Sequence, residues 1–576
     1  MKRVLIFSEH DDLTNLNALP LADYDAVVLA FYASLEFVAR VEQHGAKKCW
    51  RLNELLKDYA TLVMRAYTLA HQVAASAPRY RDVNPLLAWE NIIANALFIP
   101  LVMTEVHRAL CERVGGDTTI VFFSRNDTQR AFETINQNSA PTFTIRVLNE
   151  IETNKSHDAG GRFAAWRKLI AEARRDGDWR NVIAVPIETL DAQYMWRSRL
   201  TPRANGSHRE ILFYSSYINF SRVLAKHAAT FDAPPHWIVN NHSARKGLPR
   251  GAHVSNLWEY GALNISAHRA IVLATKRVIA NALIEQEGFP LRAALASSAS
   301  VREMAERVVP LFLSEIDLMH ASLQHLQPRA VWTANQWASE GCMLQVAQAH
   351  NVPVTQVQHG TLEQYYTCAP IYSERFLVWD EFSAASVNQR EKERVFISDP
   401  ANTHSAFKNK TSPAKNARIT FFSQPPQVVV FWNPSVMAWE TSALLKEFLA
   451  RGWMVTLRAH PMDQFELYTP FLQQADGALS DALTLDKGTP LEPLLGKTDI
   501  ALMIFSSVAF DCIAHQIPVL GLGWYEFFQK RAVESAGLIA FANSFAAVGA
   551  WSKAPHQHHD AAQPVCANAL CGRSFD

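Results

Sequence analysis

Long apolar runs are absent from this chain. The most apolar stretches, Ala96 to Met103 and Ile500 to Phe510, are too short to span a bilayer or are closed by polar residues such as Asp511 and His515, which excludes a transmembrane anchor. Paired cysteines are absent as well. The seven cysteines (Cys49, Cys111, Cys342, Cys368, Cys512, Cys566, Cys571) are odd in number, scattered and without C-x-x-C spacing, which argues against a disulfide framework or zinc site and for reduced thiols in a cytoplasmic chain. The opening MKRVLIFSEHDD lacks the apolar core of a secretory leader and reads as a first strand. Net charge is missing too. The 55 basic and 55 acidic side chains cancel, so there is no bulk basic field for nucleic acid, and an anionic ligand must be held by local donors.

What is present is an ordinary globular balance, 49% hydrophobic and 19% charged over 576 residues, enough for several domains. Val4 to Phe7, Ala26 to Phe31 and Thr119 to Phe123 are short apolar runs bounded by polar residues, as buried parallel strands are. Leu52 to Val73 and Trp89 to Leu110 repeat apolar residues at helical spacing. The same syntax returns with strand Ala330 to Thr333, a helix from Glu340 to His350 and strand Val352 to Val357. It returns again with strand Val428 to Phe431, helix Thr441 to Arg451, strands Met454 to Arg458 and Ile500 to Ile504, helix Val508 to His515 and strand Val519 to Leu522. The pattern predicts an α/β chain of doubly wound domains. Residues 1–385 read as one N-terminal α/β domain, enlarged by an insertion at about 140–328 with strands at Val182 to Val185 and Ile211 to Tyr214. Residues 386–418 read as an exposed linker, 419–551 as a C-terminal Rossmann-like domain and 552–576 as a flexible tail.

Three polar clusters each follow the carboxyl end of an expected strand, which is where open α/β sheets bind ligands. Gln358-His359-Gly360-Thr361 follows Val352 to Val357, and its glycine allows close backbone approach while the imidazole faces a cleft. His460-Pro461 follows Met454 to Arg458, where the imidazole can donate to a phosphate oxygen. Ser506-Ser507 follows Ile500 to Ile504 and opens a helix, so two hydroxyls and backbone N–H groups gather at one helix start. Taken singly, each is also an ordinary turn histidine or serine cap. Their order is what carries information.

The order QHGT, histidine-proline turn and SSVAFD (Ser506 to Asp511), spread over roughly residues 330 to 530, resembles the bacterial capsule polysaccharide transferases. It is similar to the polysialyltransferases and Kdo transferases, and more distantly to the CDP-glycerol glycerophosphotransferases. The resemblance implies a GT-B fold, two Rossmann-like doubly wound domains facing across a cleft, with the nucleotide donor held mainly by the C-terminal domain and the acceptor by the N-terminal one. It would put His460, Pro461, Ser506 and Ser507 on the donor phosphate, with His359 and Gly360 lining the cleft. Asp511 would help hold its helix, and Glu492, in TPLEPLL, would be a ribose-binding carboxylate. Fixed donors of this kind stabilise a nucleotide leaving group without a metal.

An inverting transfer needs a base. Glu9 and Asp11, after the first strand, are the first candidates, with His10 and Asp127 nearby in kind. Asn240, Asn241, His242 and Arg245 form a polar patch that reads either as an acceptor contact or as a surface loop. Asp176-Gly177-Asp178 precedes a strand and reads as a turn, and His556 to His559 as a tail run, so no metal and no cofactor is expected. Trp432, Trp439 and Trp453 read as core, whereas Trp524 and Tyr525 follow a strand and could approach a ligand.

The resulting expectation is a glycosyltransferase moving a sugar from a nucleotide donor, with a CMP-activated acidic sugar of the sialic acid or Kdo type preferred, to a bacterial surface glycan or glycolipid acceptor such as capsule or lipopolysaccharide. Alternatives are a CDP-glycerol-type glycerophosphotransferase, a nucleotide-sugar epimerase and a non-catalytic GT-B-like scaffold. Expected partners are a nucleotide-activated sugar and a glycan acceptor, with peripheral inner-membrane association through a lipid-linked acceptor, and no nucleic acid.

Overall fold

The computed structural model describes residues 2–152, 211–281, 301, 309–397 and 417–551, apart from gaps at 116, 138, 140–141, 241, 262–264, 361–369, 380, 388, 425–430, 461–462, 464, 474–478, 505, 528–529 and 536–538. Within these residues the chain is α/β, as the alternation of apolar runs predicts, and its strands form three parallel sheets. The first contains β1 (Lys2–Phe7), β2 (Ala26–Leu29), β3 (Cys49–Arg51), β4 (Thr118–Arg125) and β5 (Thr144–Glu152) in the order β3-β2-β1-β4-β5. The second contains β6 (Ile211–Ser215), β7 (His236–Val239), β8 (His253–Asn256), β9 (Ala330–Thr333), β10 (Val354–Val357), β11 (Arg375–Val378) and β12 (Val395–Ile397) in the order β12-β11-β10-β9-β6-β7-β8. The third contains β13 (Arg418–Phe422), β14 (Met454–Arg458), β15 (Leu483–Asp486), β16 (Ile500–Met503), β17 (Val519–Leu522) and β18 (Ala540–Ala542) in the order β15-β14-β13-β16-β17-β18. Counted along its own strands, each sheet follows the Rossmann order, in which chain direction across the sheet reverses between the first and fourth strands.

Three differences from the sequence reading have physical causes. Residues 1–385 are divided between two sheets. The segment expected as an insertion at 140–328 supplies β6, which pairs with β9 in the register Ile211↔Ala330 and Phe213↔Trp332, so it is half of a doubly wound domain. The segment expected as a linker at 386–418 contains β12, an edge strand with half-exposed Phe396 and Ile397, too short and too open to stand out by hydropathy. The first strand of the C-terminal sheet is RITFF at 418–422, ten residues before the expected Val428 to Phe431. Phe431 lies outside any strand at φ 64°, and residues 428–430 are outside the described set. The expected strand Val182 to Val185 and the tail are also outside it.

The chain divides into two compact units, one of Met1–Leu62, Ile99–Asn154 and Asn402–Asp576, the other of Val63–Phe98 and Lys155–Ala401. The first unit thus holds both the N-terminal and the C-terminal sheet. β2 (AVVL) and β16 (IALM) are buried along their whole length, which is why they read as continuous apolar runs rather than alternating ones. The helix Pro434–Ala450 follows β13; Asn433 caps it by accepting from Val436 N, and Pro434 occupies the first turn, where its missing N–H costs nothing. The helical stretch Leu87–Val114 is long and apolar enough to cross a membrane by composition, longer than Ala96 to Met103 suggested, yet 61% of its apolar window is buried inside the protein. Cys49, Cys111, Cys342 and Cys512 are free thiols.

Candidate functional site

Doubly wound sheets leave a crevice at the carboxyl ends of the strands flanking the reversal. Among the described residues there are three such crevices, and their side chains differ.

At the N-terminal sheet the crevice lies between β1 and β4, and it is filled. Asp11 accepts from Ser8 N at 2.7 Å, from Ser8 Oγ at 3.1 Å and from Ser124 Oγ. Asn126 Nδ2 donates to Ser8 Oγ at 2.6 Å, and Glu9 accepts from Thr128 Oγ1 at 3.1 Å. Asn433 Nδ2 then donates to the carbonyls of Ser8, at 3.3 Å, and Asp11, at 2.8 Å, and Ser435 Oγ accepts from Leu13 N at 3.1 Å. Glu9 and Asp11 are 5% and 3% exposed, and burial pushes both carboxyls above their ordinary values. The geometry corrects the expectation that either is the base, because both are engaged in tying the end of β1 to the end of β4 or its following helix. His10 lies 3.7 Å from Glu9, and Asp127 pairs with Arg130 in the first turn of its helix.

At the central sheet the crevice between β6 and β9 is acidic. Glu340 is fully buried and accepts from Ser216 N at 2.6 Å and Ser216 Oγ at 2.7 Å; burial pushes its carboxyl up to about 7. Glu315 accepts from Asn240 Nδ2 at 3.2 Å and from Ser339 Oγ, which is also 2.5 Å from the Tyr214 hydroxyl. Asn240 therefore faces this cluster; Asn241 and the His242 side chain lie outside the described residues, and Arg245 is exposed. On the neighbouring strand, Gln358 holds the turn by donating to Gly360 O at 2.8 Å and accepting from Trp379 N at 2.9 Å. His359 Nδ1 bonds the carbonyl of Ala334, just past β9, at 2.7 Å, so Nδ1 carries the proton and Nε2 the lone pair. Burial lowers its pKa to about 4, keeping the ring neutral. A Cβ on Gly360 would stand in open space, so the fold itself does not require glycine there. Thr361 lies outside the described residues.

At the C-terminal sheet, Phe422 pairs with Arg458 on one side and Met503 on the other. The exits carrying Ser423, His460 and Ser506 therefore lie side by side, about 5 Å apart per strand. His460 N donates to Ser423 Oγ at 3.0 Å, and burial lowers the His460 pKa, so it is a neutral donor or acceptor. Ser506 Oγ accepts from Val508 N at 3.3 Å, while the N–H groups of Ala509 and Phe510 are taken by the carbonyls of Ser506 and Ser507. The helix start thus offers a ligand the hydroxyls of two half-buried serines more than the free N–H groups expected. Cations flank these exits: Arg458 pairs with Asp486 at 2.6 Å, and Lys487 Nζ donates to Asp463 O at 2.8 Å, in the turn that begins with His460. Pro461 lies outside the described residues.

Two expectations fail here. Glu492 is at the other end of the helix Val508–Ala514, 2.8 Å from the ring of the C-capping His515, so it is about 10 Å of helix away from the serine pair. Asp511, in that helix, accepts through its carbonyl from His515 N and Nδ1. Trp524 and Tyr525 are 2% and 1% exposed and both donate to buried Glu440, at 2.8 and 2.6 Å, which makes them part of the packing. Trp432 packs on Tyr525, Trp439 on Phe37 and Phe545, and Trp453 on Phe448, as core aromatics. Ser423 was legible as a polar residue directly after an apolar run, once FF at 421–422 is read as a strand end. Glu315, Glu340, Glu440 and Asn433 carry no local signal. Among the described residues, no three His, Cys, Asp or Glu side chains are grouped to hold a metal; Asp176, Asp178 and His556 to His559 lie outside them.

No family model matches the chain, and no curated protein sequence matches it. Among solved structures it is similar to S. aureus MnaA in a co-structure with UDP, at TM-score 0.41 and 11% identity, over 63% of this chain and 93% of that one. It is similar to the UDP-GlcNAc 2-epimerase of Neisseria meningitidis bound to UDP-GlcNAc, at TM-score 0.39 and 10% identity, over 62% and 94%. A third similar structure is the spinosyn rhamnosyltransferase SpnG, at TM-score 0.36 and 13% identity, over 62% and 92%.

Proposed function

We propose that this chain is a nucleotide-sugar-using enzyme of GT-B type, a glycosyltransferase that holds its donor phosphate at the carboxyl edge of the C-terminal sheet. The observation that carries the reading is the side-by-side exit of Ser423, His460 and Ser506 from β13, β14 and β16. Of the three crevices, the N-terminal one is occupied by the protein's own side chains and the central one by the buried Glu315 and Glu340, already hydrogen-bonded within the protein. Hydroxyls, a neutral imidazole and nearby cations suit a phosphate better.

In the proposed transfer, the proton of the acceptor hydroxyl passes to a base and the acceptor oxygen bonds to the anomeric carbon. The bond from that carbon to the donor phosphate breaks, and the electron pair leaves on the phosphate oxygen, stabilised by His460, Ser506 and Ser507. With Glu9 and Asp11 engaged elsewhere, His359, whose Nε2 keeps its lone pair, is the candidate base that remains from the motif resemblance. The preferred donor remains a CMP-linked acidic sugar and the acceptor a bacterial surface glycan, both resting on the motif resemblance.

The test is thermal stabilisation by CMP, CDP, UDP and GDP, followed by donor turnover with and without acceptor glycans. Stabilisation by cytidine nucleotides, abolished in His460→Ala, supports the reading. A response to UDP alone would overturn the donor, donor rearranged without any acceptor would favour an epimerase, and no response to any nucleotide would favour a scaffold.

A further inference from the structure

Within the first unit the N-terminal sheet presents the loops after β1, β2 and β3 to segments that leave the C-terminal sheet at its carboxyl edge. Tyr32 N donates to Phe431 O at 3.0 Å, Ser34 N to Glu440 at 2.5 Å, and Asn53 Nδ2 to Trp524 O at 2.9 Å. Phe431 is fully buried and held at φ 64°, a conformation unfavourable for a non-glycine residue that persists only where the surroundings over-determine it. The next residues are the most constrained. Asn433 caps the helix Pro434–Ala450 through Oδ1, which also accepts from Ser435 Oγ at 2.7 Å, while its amide nitrogen grips the carbonyls of Ser8 and Asp11. One side chain thus fixes the start of the first helix of the C-terminal sheet and plugs the crevice of the N-terminal one.

We infer that the N-terminal domain is a brace for the donor-binding edge, and that Asn433 is its positioning residue. A Rossmann-like domain whose own ligand crevice is occupied by Asn433 has that crevice available for a different use: it holds Asn433 and Ser435, at the start of the helix that follows β13, at the same carboxyl edge where Ser423 receives the His460 N–H. The inference rests on the donor reading above. It predicts that loosening the grip changes phosphate recognition without any change in a residue that touches the donor.

Asn433→Asp tests it, because aspartate keeps the helix cap but turns the two-carbonyl grip into a repulsion. Ser435→Ala, which removes the bond to Leu13 N, is the milder partner should Asn433→Asp fold poorly. Using the full chain, CMP and UDP affinities are measured by titration below the melting temperature of each variant, beside amide exchange at Ser423 and His460. The expected result is a tenfold or larger loss of nucleotide affinity in Asn433→Asp, about threefold in Ser435→Ala, and at least tenfold faster exchange at both amides in Asn433→Asp. A lower melting temperature with unchanged affinity would overturn the inference, since a purely structural clamp behaves so. If the wild-type chain binds neither nucleotide, the donor reading falls and exchange decides the brace by itself: faster exchange supports it, unchanged exchange overturns it.

Discussion

Replacing Glu440 by glutamine conserves size and shape and changes only the hydrogen-bonding character of one buried group. Oε1 of Glu440 accepts from Ser34 N at 2.5 Å, and Oε2 accepts from Trp524 Nε1 at 2.8 Å and Tyr525 OH at 2.6 Å. Three donors converge on two oxygens, so the side chain must act as an acceptor on both sides, even though burial pushes its pKa up. Glutamine has one acceptor oxygen. Turned toward Trp524 and Tyr525, it sets its NH2 against Ser34 N–H and leaves two donors buried without partners; turned the other way, it faces the indole N–H. At about 1–3 kcal/mol for each buried unsatisfied donor, Glu440→Gln should weaken the contact between the two sheets of this unit by about 3 kcal/mol. Amide exchange at Ser34 measures it, and about 3 kcal/mol is an acceleration of about a hundredfold. A rate within threefold of wild type would refute the reasoning, because glutamine mimics a protonated carboxyl, and the contact would then not depend on an ionised acceptor.

Three further outcomes are expected. If His359 is the base, its neutral form is the active one and its pKa is lowered to about 4; kcat/KM should fall only as the pH drops through about 4, and an inflection near 6.5 that vanishes in His359→Asn would instead assign an unshifted ring. Asp11→Asn should lower stability by about 2–4 kcal/mol, because one of its two acceptor oxygens is lost, and leave kcat of the folded enzyme within a few fold; a thousandfold loss of kcat at unchanged melting temperature would restore Asp11 as the base. Burial lowers His227 and His320 from 6.5 to about 4 in the folded chain, and His320 accepts from His350 Nε2 at 2.8 Å while donating to Arg81 O. Between these values the unfolded chain binds more protons at both rings, so their contribution to stability should be constant above pH 6.5 and be lost as the pH falls toward 4; replacing both by glutamine should remove that contribution relative to wild type, as denaturant midpoints across the range will report.

Local chemistry was legible wherever its cause is local. β2, β16 and β17 were recoverable because a strand covered on both faces must be apolar along its length, β9 and β14 because their buried positions alternate with half-buried or exposed ones, and His359, His460 and the serine pair because polar residues directly after such strands face the carboxyl edge. β12 escaped detection because an edge strand needs little apolar content, and β13 because its RITFF lies against a polar stretch. The residue types at the strand exits, and the α/β class itself, were thus decided by sequence alone.

Tertiary structure decided which side chains fill each of three similar crevices. Glu9 and Asp11 look like strand-end acids in any local window; what removes them from the chemistry is Ser124, more than a hundred residues away, and Asn433, 422 residues from Asp11. Glu492 and the serine pair are neighbours in sequence but sit at opposite ends of one helix. The physical reason is the same in each case. Hydrogen-bond satisfaction in a buried site is a property of everything packed around it, and contacts closed over hundreds of residues leave no periodicity or spacing in the chain that forms them.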